Sequence, residues 1–150
     1  MSIIDWYTGK NVLISGGTGF MGKVLVEKIL RSIPNIGKIY ILCRSKRGVT
    51  PAQRVADFSK IPLFTKLLKE NPNSLNKLIV VEGDITEDGL GIKEEIRNEL
   101  IENINIVFHF AASLKLEARL KESVMFNLKG TLSMLKLATD IKHLDVSSFI

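Results

Sequence analysis

Short apolar runs alternate along the chain with stretches in which apolar residues recur at every third or fourth position. The first rhythm is that of a strand buried on both faces, the second that of an amphipathic helix, and their alternation predicts a parallel sheet covered by helices. Residues 11–15 (NVLIS) read as the first strand and run straight into GGTGFMG and KVLVEKILRSI. In that segment Phe20, Val24 and Lys28 share one stripe and Met21, Leu25 and Ile29 the next, so a helix is expected to start near Gly19. Pro34, Asn35 and Gly37 supply breaker chemistry after it, and residues 38–43 (KIYILC) read as a second strand that closes a βαβ unit.

Residues 44–77 contain Pro51, Pro62 and Pro72 and are too long for an ordinary connection, yet too apolar in AQRVADFSKIPLFTKLL for a bare loop. An inserted helical segment is expected there. Residues 78–82 (LIVVE) form the third predicted strand, ended by Gly83-Asp84, and Leu90, Ile96 and Leu100 fall on one short amphipathic helix. Residues 104–110 (INIVFHF) form the fourth strand. A long helix is expected from about residue 116 to 139, where Leu116, Leu120, Val124, Leu128, Leu132 and Leu135 repeat at steps of three or four. Residues 146–150 open a fifth strand, so the whole reads as one α/β doubly wound domain over residues 1–150, truncated after the start of its fifth strand.

Composition narrows the classes. With 45% apolar and 25% charged residues the chain has globular proportions, which argues against disorder, collagen and coiled coil. The single Cys43 allows no internal disulfide and no cysteine pair for a metal, which suits a reducing compartment and leaves no metal site expected. Twenty-one Lys and Arg against 16 Asp and Glu give +5, compatible with nucleic acid, anionic lipid or a phosphorylated ligand. No aromatic–basic patch supports nucleic acid, and no apolar run is long enough to span a membrane.

Candidate chemistry concentrates in SGGTGFMG, residues 15–22, which satisfies both Gly17-x-Gly19-x-x-Gly22 and Gly16-x-x-Gly19-x-x-Gly22. Placed between a strand and a helix of a βαβ unit, it has the context of a dinucleotide fingerprint, so the doubly wound domain is expected to be of the Rossmann NAD(P)-binding type. Glycines let the turn approach a pyrophosphate, and the N–H groups at the helix start face the anion. At the end of the second strand, where an acidic residue would grip a ribose 2′-OH, stands Arg44, with Lys46 and Arg47 close behind. LCRSKR therefore offers either a pocket for a 2′-phosphate, favouring NADPH over NADH, or a solvated basic loop. Asp84 in GDIT is suited either to an adenine amino group or to a turn or helix cap. Ala111 and Ala112 in HFAAS are small enough to admit a cofactor against the backbone or simply to pack closely. His109 reads as a core or edge histidine, His143 as a surface-turn residue, and Asn127 as an interruption of the apolar stripe that needs hydrogen-bond partners if buried.

Taken in order and spacing, SGGTGFMG, LCRSKR, GDIT, VFHFAAS and FNLKGT resemble the extended short-chain dehydrogenase/reductase superfamily. Within it the chain is similar to fatty acyl-CoA reductases, through YTGKNVLISGGTGFMGKVLVEKILR, the RSKRGVTPAQRV…LFTKLL insertion and AASLKLEARLKESVMFNLKGTLSMLKLA. The resemblance implies NADPH-dependent reduction of a long-chain acyl-CoA to a fatty alcohol through an aldehyde. It places Gly16, Gly19 and Gly22 at the pyrophosphate, with Thr18, Phe20 and Met21 lining that loop. It places Arg44 at the 2′-phosphate, Asp84 and Ile85 at the adenine, Ala111, Ala112 and Ser113 at the nicotinamide-side ribose, and Asn127 in support of a proton relay. The superfamily's Tyr-x-x-x-Lys pair is absent: Tyr7 is followed at plus four by Asn11 and Tyr40 by Arg44, and Ser147 and Ser148 are not assigned to catalysis. The chain alone is therefore expected to be inactive. The resemblance also implies an intracellular protein, associated in its full-length form with peroxisomal or endoplasmic-reticulum membranes through a C-terminal segment outside these residues. A sugar-nucleotide epimerase, a thioester reductase domain and a non-catalytic NADP(H)-binding module are the alternatives.

Overall fold

The structure, a computed structural model, describes residues 1–115 and 117–149. After a short helix, α1 (Ile3–Tyr7), five parallel strands form one sheet: β1 (Val12–Ser15), β2 (Ile39–Cys43), β3 (Leu78–Glu82), β4 (Ile106–His109) and β5 (Val146–Phe149). Their order is β3-β2-β1-β4-β5, so the chain winds outward from β1 in one direction and then returns to build the other side. This is the doubly wound arrangement expected, with a switch of direction between β1 and β4. Every residue of β1 and β2 is buried, as parallel strands covered on both faces require.

Successive strand residues feed two cores. Val12, Ile14, Ile39 and Ile41 meet α2 (Phe20–Ser32) and the segment between β2 and β3, whereas Leu13, Tyr40, Leu42 and Val107 meet α5 (Glu94–Asn103) and α7 (Gly130–Asp140). The inserted segment is helical, as expected, in short pieces: α3 (Pro51–Ala56), 3-10 turns and α4 (Thr65–Glu70). Thr50 caps α3 by accepting from the Gln53 amide, and Pro51 occupies the first turn, where its missing N–H costs nothing. Phe58 and Phe64, stacked with ring centroids 5.1 Å apart, anchor the segment in the first core.

Several boundaries differ from expectation. Asn11 lies outside β1 because its polar groups tie loops together: its side chain accepts from the Lys38 amide and donates to the Asn103 carbonyl, while its own amide donates to Asn105. β4 is likewise shorter than 104–110: Ile104 ends the preceding helix, its amide donating to the Leu100 carbonyl, and past His109 the Phe110 amide still donates to the Ser15 carbonyl at 3.1 Å as the chain leaves the strand. Leu90 is not on the helix with Leu100. It sits at φ 64 in a turn between Gly89 and Gly91, a conformation no helix contains, and is buried from there; α5 starts only at Glu94.

The long helix also departs from its expectation. Leu116 lies outside the described residues, and the helix consists of α6 (Leu120–Ser123), a π-helical turn at Val124–Lys129 and α7. The leucine stripe faces solvent: Leu120, Val124, Leu128, Leu132 and Leu135 are exposed. The face that packs on the sheet carries Gly130, Met134, Leu137 and Ala138. This face also seats closely on the segment after β3, because a Cβ at Gly130 would lie 2.9 Å from the Ile85 side chain.

The second core holds one titrating group with a measurable signature. The Tyr40 hydroxyl donates to Glu99 Oε1 at 2.9 Å, and burial, reinforced by that carboxylate, pushes its pKa up to about 12. An unfolded tyrosine titrates near 10, so between about 10 and 12 the native state holds a proton the unfolded chain has lost. This contribution is complete below pH 10 and declines as pH rises through that window. Tyr40→Phe is expected to show a shallower loss of stability across it, read from urea midpoints at stepped pH. Parallel curves for the two proteins would refute the assignment.

Candidate cofactor site

At the carboxyl end of β1 the backbone turns through Gly16, which adopts φ 72. A Cβ there would stand 2.7 Å from Ala111 N and Phe110 C, so the turn rests directly on the chain leaving β4. In the first turn of α2, a Cβ on Gly22 would lie 2.4 Å from both the Gly16 carbonyl oxygen and Gly17 Cα. Gly19 precedes the helix, donates its N–H to the Gly16 carbonyl at 2.9 Å, and offers no side chain to cap it. The start of α2, with the positive end of its dipole, thus opens onto the strand ends at the switch point, where ligands bind in sheets of this kind.

A groove of about 240 Å³ lies there. Of the residues expected to serve a cofactor, Gly16, Thr18, Gly19, Arg44, Ile85, Ala111 and Ala112 line it. Gly22 lies buried behind the turn, while Phe20 and Met21 point to solvent from the helix start. Asp84 lines an adjoining hollow shared with Arg44 and Gly83. Ser113 is held at the far end: its amide donates to Asn127 Oδ1 at 2.8 Å and its carbonyl accepts from Asn127 Nδ2 at 3.2 Å. Asn127 is solvent-facing, yet both ends of its amide are engaged.

The cationic side is more built than the sequence discloses. Arg54, on α3, donates to the Arg44 carbonyl at 2.7 Å and to the Thr18 hydroxyl, so one guanidinium ties the end of β2 to the glycine turn. It lines both the groove and a second hollow of about 330 Å³, where Lys23, Lys46 and Arg47 also gather. Arg54, Phe110 and Phe126 went unread in the sequence. For Arg54 the only signal was the Thr50-Pro51 helix start four residues earlier, which locates the helix but not the direction of its side chains.

Arg44 donates to Asp84 Oδ2 at 3.0 Å and stands 5.4 Å from the Phe126 ring centroid. Asp84 Oδ1 accepts from the Thr86 amide at 2.9 Å and its hydroxyl at 2.7 Å, which realises the turn role considered for it and leaves Oδ2 to Arg44. Burial pushes the Asp84 carboxyl up, but the Thr86 bonds and the Arg44 charge together outweigh it and hold it below the usual carboxylate range. It is therefore an ionised acceptor at neutral pH. Buried Cys43 forms part of the groove wall, its thiol pushed up by desolvation and so kept protonated.

His109 is buried at the end of β4, bonded to Ser15 and Thr131, a core histidine as read; His143 is exposed in a turn. Neither tyrosine reaches the groove wall: Tyr40 is committed to Glu99 in the second core and Tyr7 packs edge-on against Trp6. Among the described residues no group of three His, Cys, Asp or Glu side chains is arranged to hold a metal, and no helix is long and apolar enough to cross a membrane.

Residues 14–150 match the NAD-binding family described as male sterility protein. The chain belongs to this family. It is 41% identical over 146 residues to fatty acyl-CoA reductase 1 of Pongo abelii and 43% identical over 146 residues to that of Xenopus laevis, covering 97% of this chain in each case. It spans 28% of the length of these relatives. Among solved structures, the terminal R domain from the myxalamid PKS-NRPS biosynthetic pathway is 25% identical with a TM-score of 0.75, over 95% of this chain and 34% of that one. The reductase (R) domain of a non-ribosomal peptide synthetase from Mycobacterium tuberculosis is 26% identical with a TM-score of 0.73, over 94% and 32%. Both share the parallel, helix-covered sheet of this male sterility family domain.

Proposed function

We propose that this chain is the NADPH-binding part of a reductase that converts long-chain fatty acyl-CoA to fatty alcohol. The observation that carries the cofactor half is the cluster of Arg44, Lys46 and Arg54 beside the glycine turn, where an NAD-selective site would place a carboxylate on the ribose. NADPH fits the residues present: a groove at a helix start suits its pyrophosphate, and three cations suit its 2′-phosphate. When bound, it supplies hydride.

In this reading Gly16, Gly19 and Gly22 shape the pyrophosphate turn, flanked by Thr18, Phe20 and Met21. Arg44 takes the 2′-phosphate, which means exchanging its bond to Asp84 for one to the ligand. Asp84 Oδ2, released by that exchange, and Ile85 then meet the adenine. Ala111, Ala112 and Ser113 border the ribose next to the nicotinamide, with Asn127 fixing Ser113 from behind. The acyl-CoA half of the proposal is supported by the identity to fatty acyl-CoA reductases over nearly the whole chain. A second reading, a reductase domain of a larger biosynthetic assembly, is supported by likeness to the R domains at lower identity.

Calorimetric titration with NADPH and NADH tests the cofactor assignment. NADPH is expected to bind in preference, and Arg44→Ala to weaken NADPH about tenfold or more while leaving NADH within about twofold, since a charge-assisted phosphate contact contributes roughly 1.5–3 kcal/mol. Equal weakening of both cofactors would remove the 2′-phosphate role.

A further inference from the structure

Ser15 and His109 are register partners at the last paired positions of β1 and β4, and each is followed immediately by a groove residue, Gly16 or Phe110. Their side chains lie on the face of the sheet that α7 covers. Ser15 Oγ stands 2.5 Å from His109 Nδ1, His109 Nε2 stands 3.2 Å from Thr131 Oγ1, and Thr131 Oγ1 donates to the Asn127 carbonyl at 2.6 Å. Ser15 has no exposed surface and His109 very little. The π-helical turn, which carries the Gly130 N–H back five residues to the Met125 carbonyl, includes Asn127, whose side chain in turn grips Ser113 by both backbone groups.

Donor counting fixes the direction of this chain of bonds. A hydroxyl has one proton, and Thr131 gives its own to the Asn127 carbonyl. Nε2 must therefore carry a hydrogen to bond Thr131, and a neutral ring then leaves Nδ1 as the acceptor for Ser15. Burial favours the neutral ring, lowering the His109 pKa from its ordinary value.

We propose that His109 is a positioning residue: as its Nε2–H tautomer it links the strand that ends in the glycine turn to the π-helical turn, and through Asn127 holds Phe110–Ser113 in place along the groove. The consequence for cofactor binding rests on the function proposed above, whereas the link itself does not. A residue that merely fills space would be replaced best by phenylalanine. A residue that accepts from Ser15 and donates to Thr131 would be replaced best by glutamine, whose amide has one acceptor and one donor end.

Nitrogen-15 NMR of the histidine ring at neutral pH is expected to show protonated Nε2 and bare Nδ1; the opposite tautomer or a doubly protonated ring would overturn the proposal. Amide exchange at Ser113, measured in folded variants confirmed by their dispersed spectra, is expected to quicken about tenfold in His109→Phe and in Thr131→Val and to stay near the parent rate in His109→Gln. Unchanged exchange in both Phe and Val variants overturns the link. NADPH affinity is expected to fall about tenfold in His109→Phe and to recover in His109→Gln. Equal affinities for these two variants overturn the positioning of the groove. An unaltered protein that shows the expected tautomer and exchange but binds no NADPH supports the link and removes the cofactor reading instead.

Discussion

Gly16→Ala is expected to destabilise the protein by about 3 kcal/mol and to abolish cofactor binding. Two costs coincide at this position. An L-residue in the left-handed region costs roughly 1–2 kcal/mol, and forcing a methyl into a filled space costs roughly 1–3 kcal/mol. The second cost cannot be relieved by a rotamer change, because the atoms met at 2.7 Å are the backbone of Phe110 and Ala111. Relief requires the turn to lift from β4, and that movement separates the two walls of the groove. Gly48→Ala separates the terms: Gly48 has φ 76, but a Cβ there meets nothing within 4 Å, so only the conformational cost of about 1–2 kcal/mol applies. At about 2–4 °C per kcal/mol for a domain of this size, Gly16→Ala should melt some 10 °C below the parent. Thermal unfolding of the two variants, followed by NADPH titration below their transitions, makes the comparison. If Gly16→Ala were no less stable than Gly48→Ala, the seating of the turn on Phe110–Ala111 would be wrong.

Local chemistry that repeats at short range could be read from the sequence, and chemistry that depends on approach could not. β3 occupies the residues expected, because residues 78–81 (LIVV) are a continuous apolar run that stops at Glu82 and Gly83. The glycine turn and the start of α2 were equally legible, since strand, glycines and helix follow one another without a gap. Leu90 misleads because an apolar residue ahead of Ile96 and Leu100 reads as helical period, whereas its side chain reaches the second core from a turn at positive φ. The leucine stripe of the long helix misled in a complementary way. Counting apolar residues favours Leu120, Val124, Leu128, Leu132 and Leu135, but the face buried in the second core carries Met134, Leu137 and Ala138, with Gly130 seated against Ile85. Arg54 illustrates the same limit in the candidate site. It is ten residues from Arg44 in sequence, and only the path of the insertion across the strand ends brings its guanidinium to Thr18 and the Arg44 carbonyl. The pairing of Asn127 with Ser113 needs the π-helical turn, which no periodicity announces.

Phe64→Ala is expected to cost about 3–5 kcal/mol, the range for emptying a fully buried aromatic site, although Phe64 belongs to a segment inserted between two strands. Phe64 has no exposed surface and stacks on Phe58, and both pack among residues of α2, β1 and β2 in the first core. The insertion is therefore part of the domain's interior and not an appendage. Leu132→Ala supplies the contrast: the larger apolar count of its helix face gives it no weight, because Leu132 is 56% exposed, and its loss should stay within about 0.5 kcal/mol. The aromatic pair also bears on the groove, since Phe58 lies one turn beyond Arg54 and lines the same basic hollow. Phe58→Leu, which keeps the site apolar and most of its volume, should preserve the fold while loosening the support beneath Arg54. NADPH affinity is then expected to fall several-fold relative to NADH, with urea midpoints moving only slightly. A Phe58→Leu protein whose preference for NADPH is unchanged would show that Arg54 is held by Thr18 and the Arg44 carbonyl alone, without help from the insertion's core.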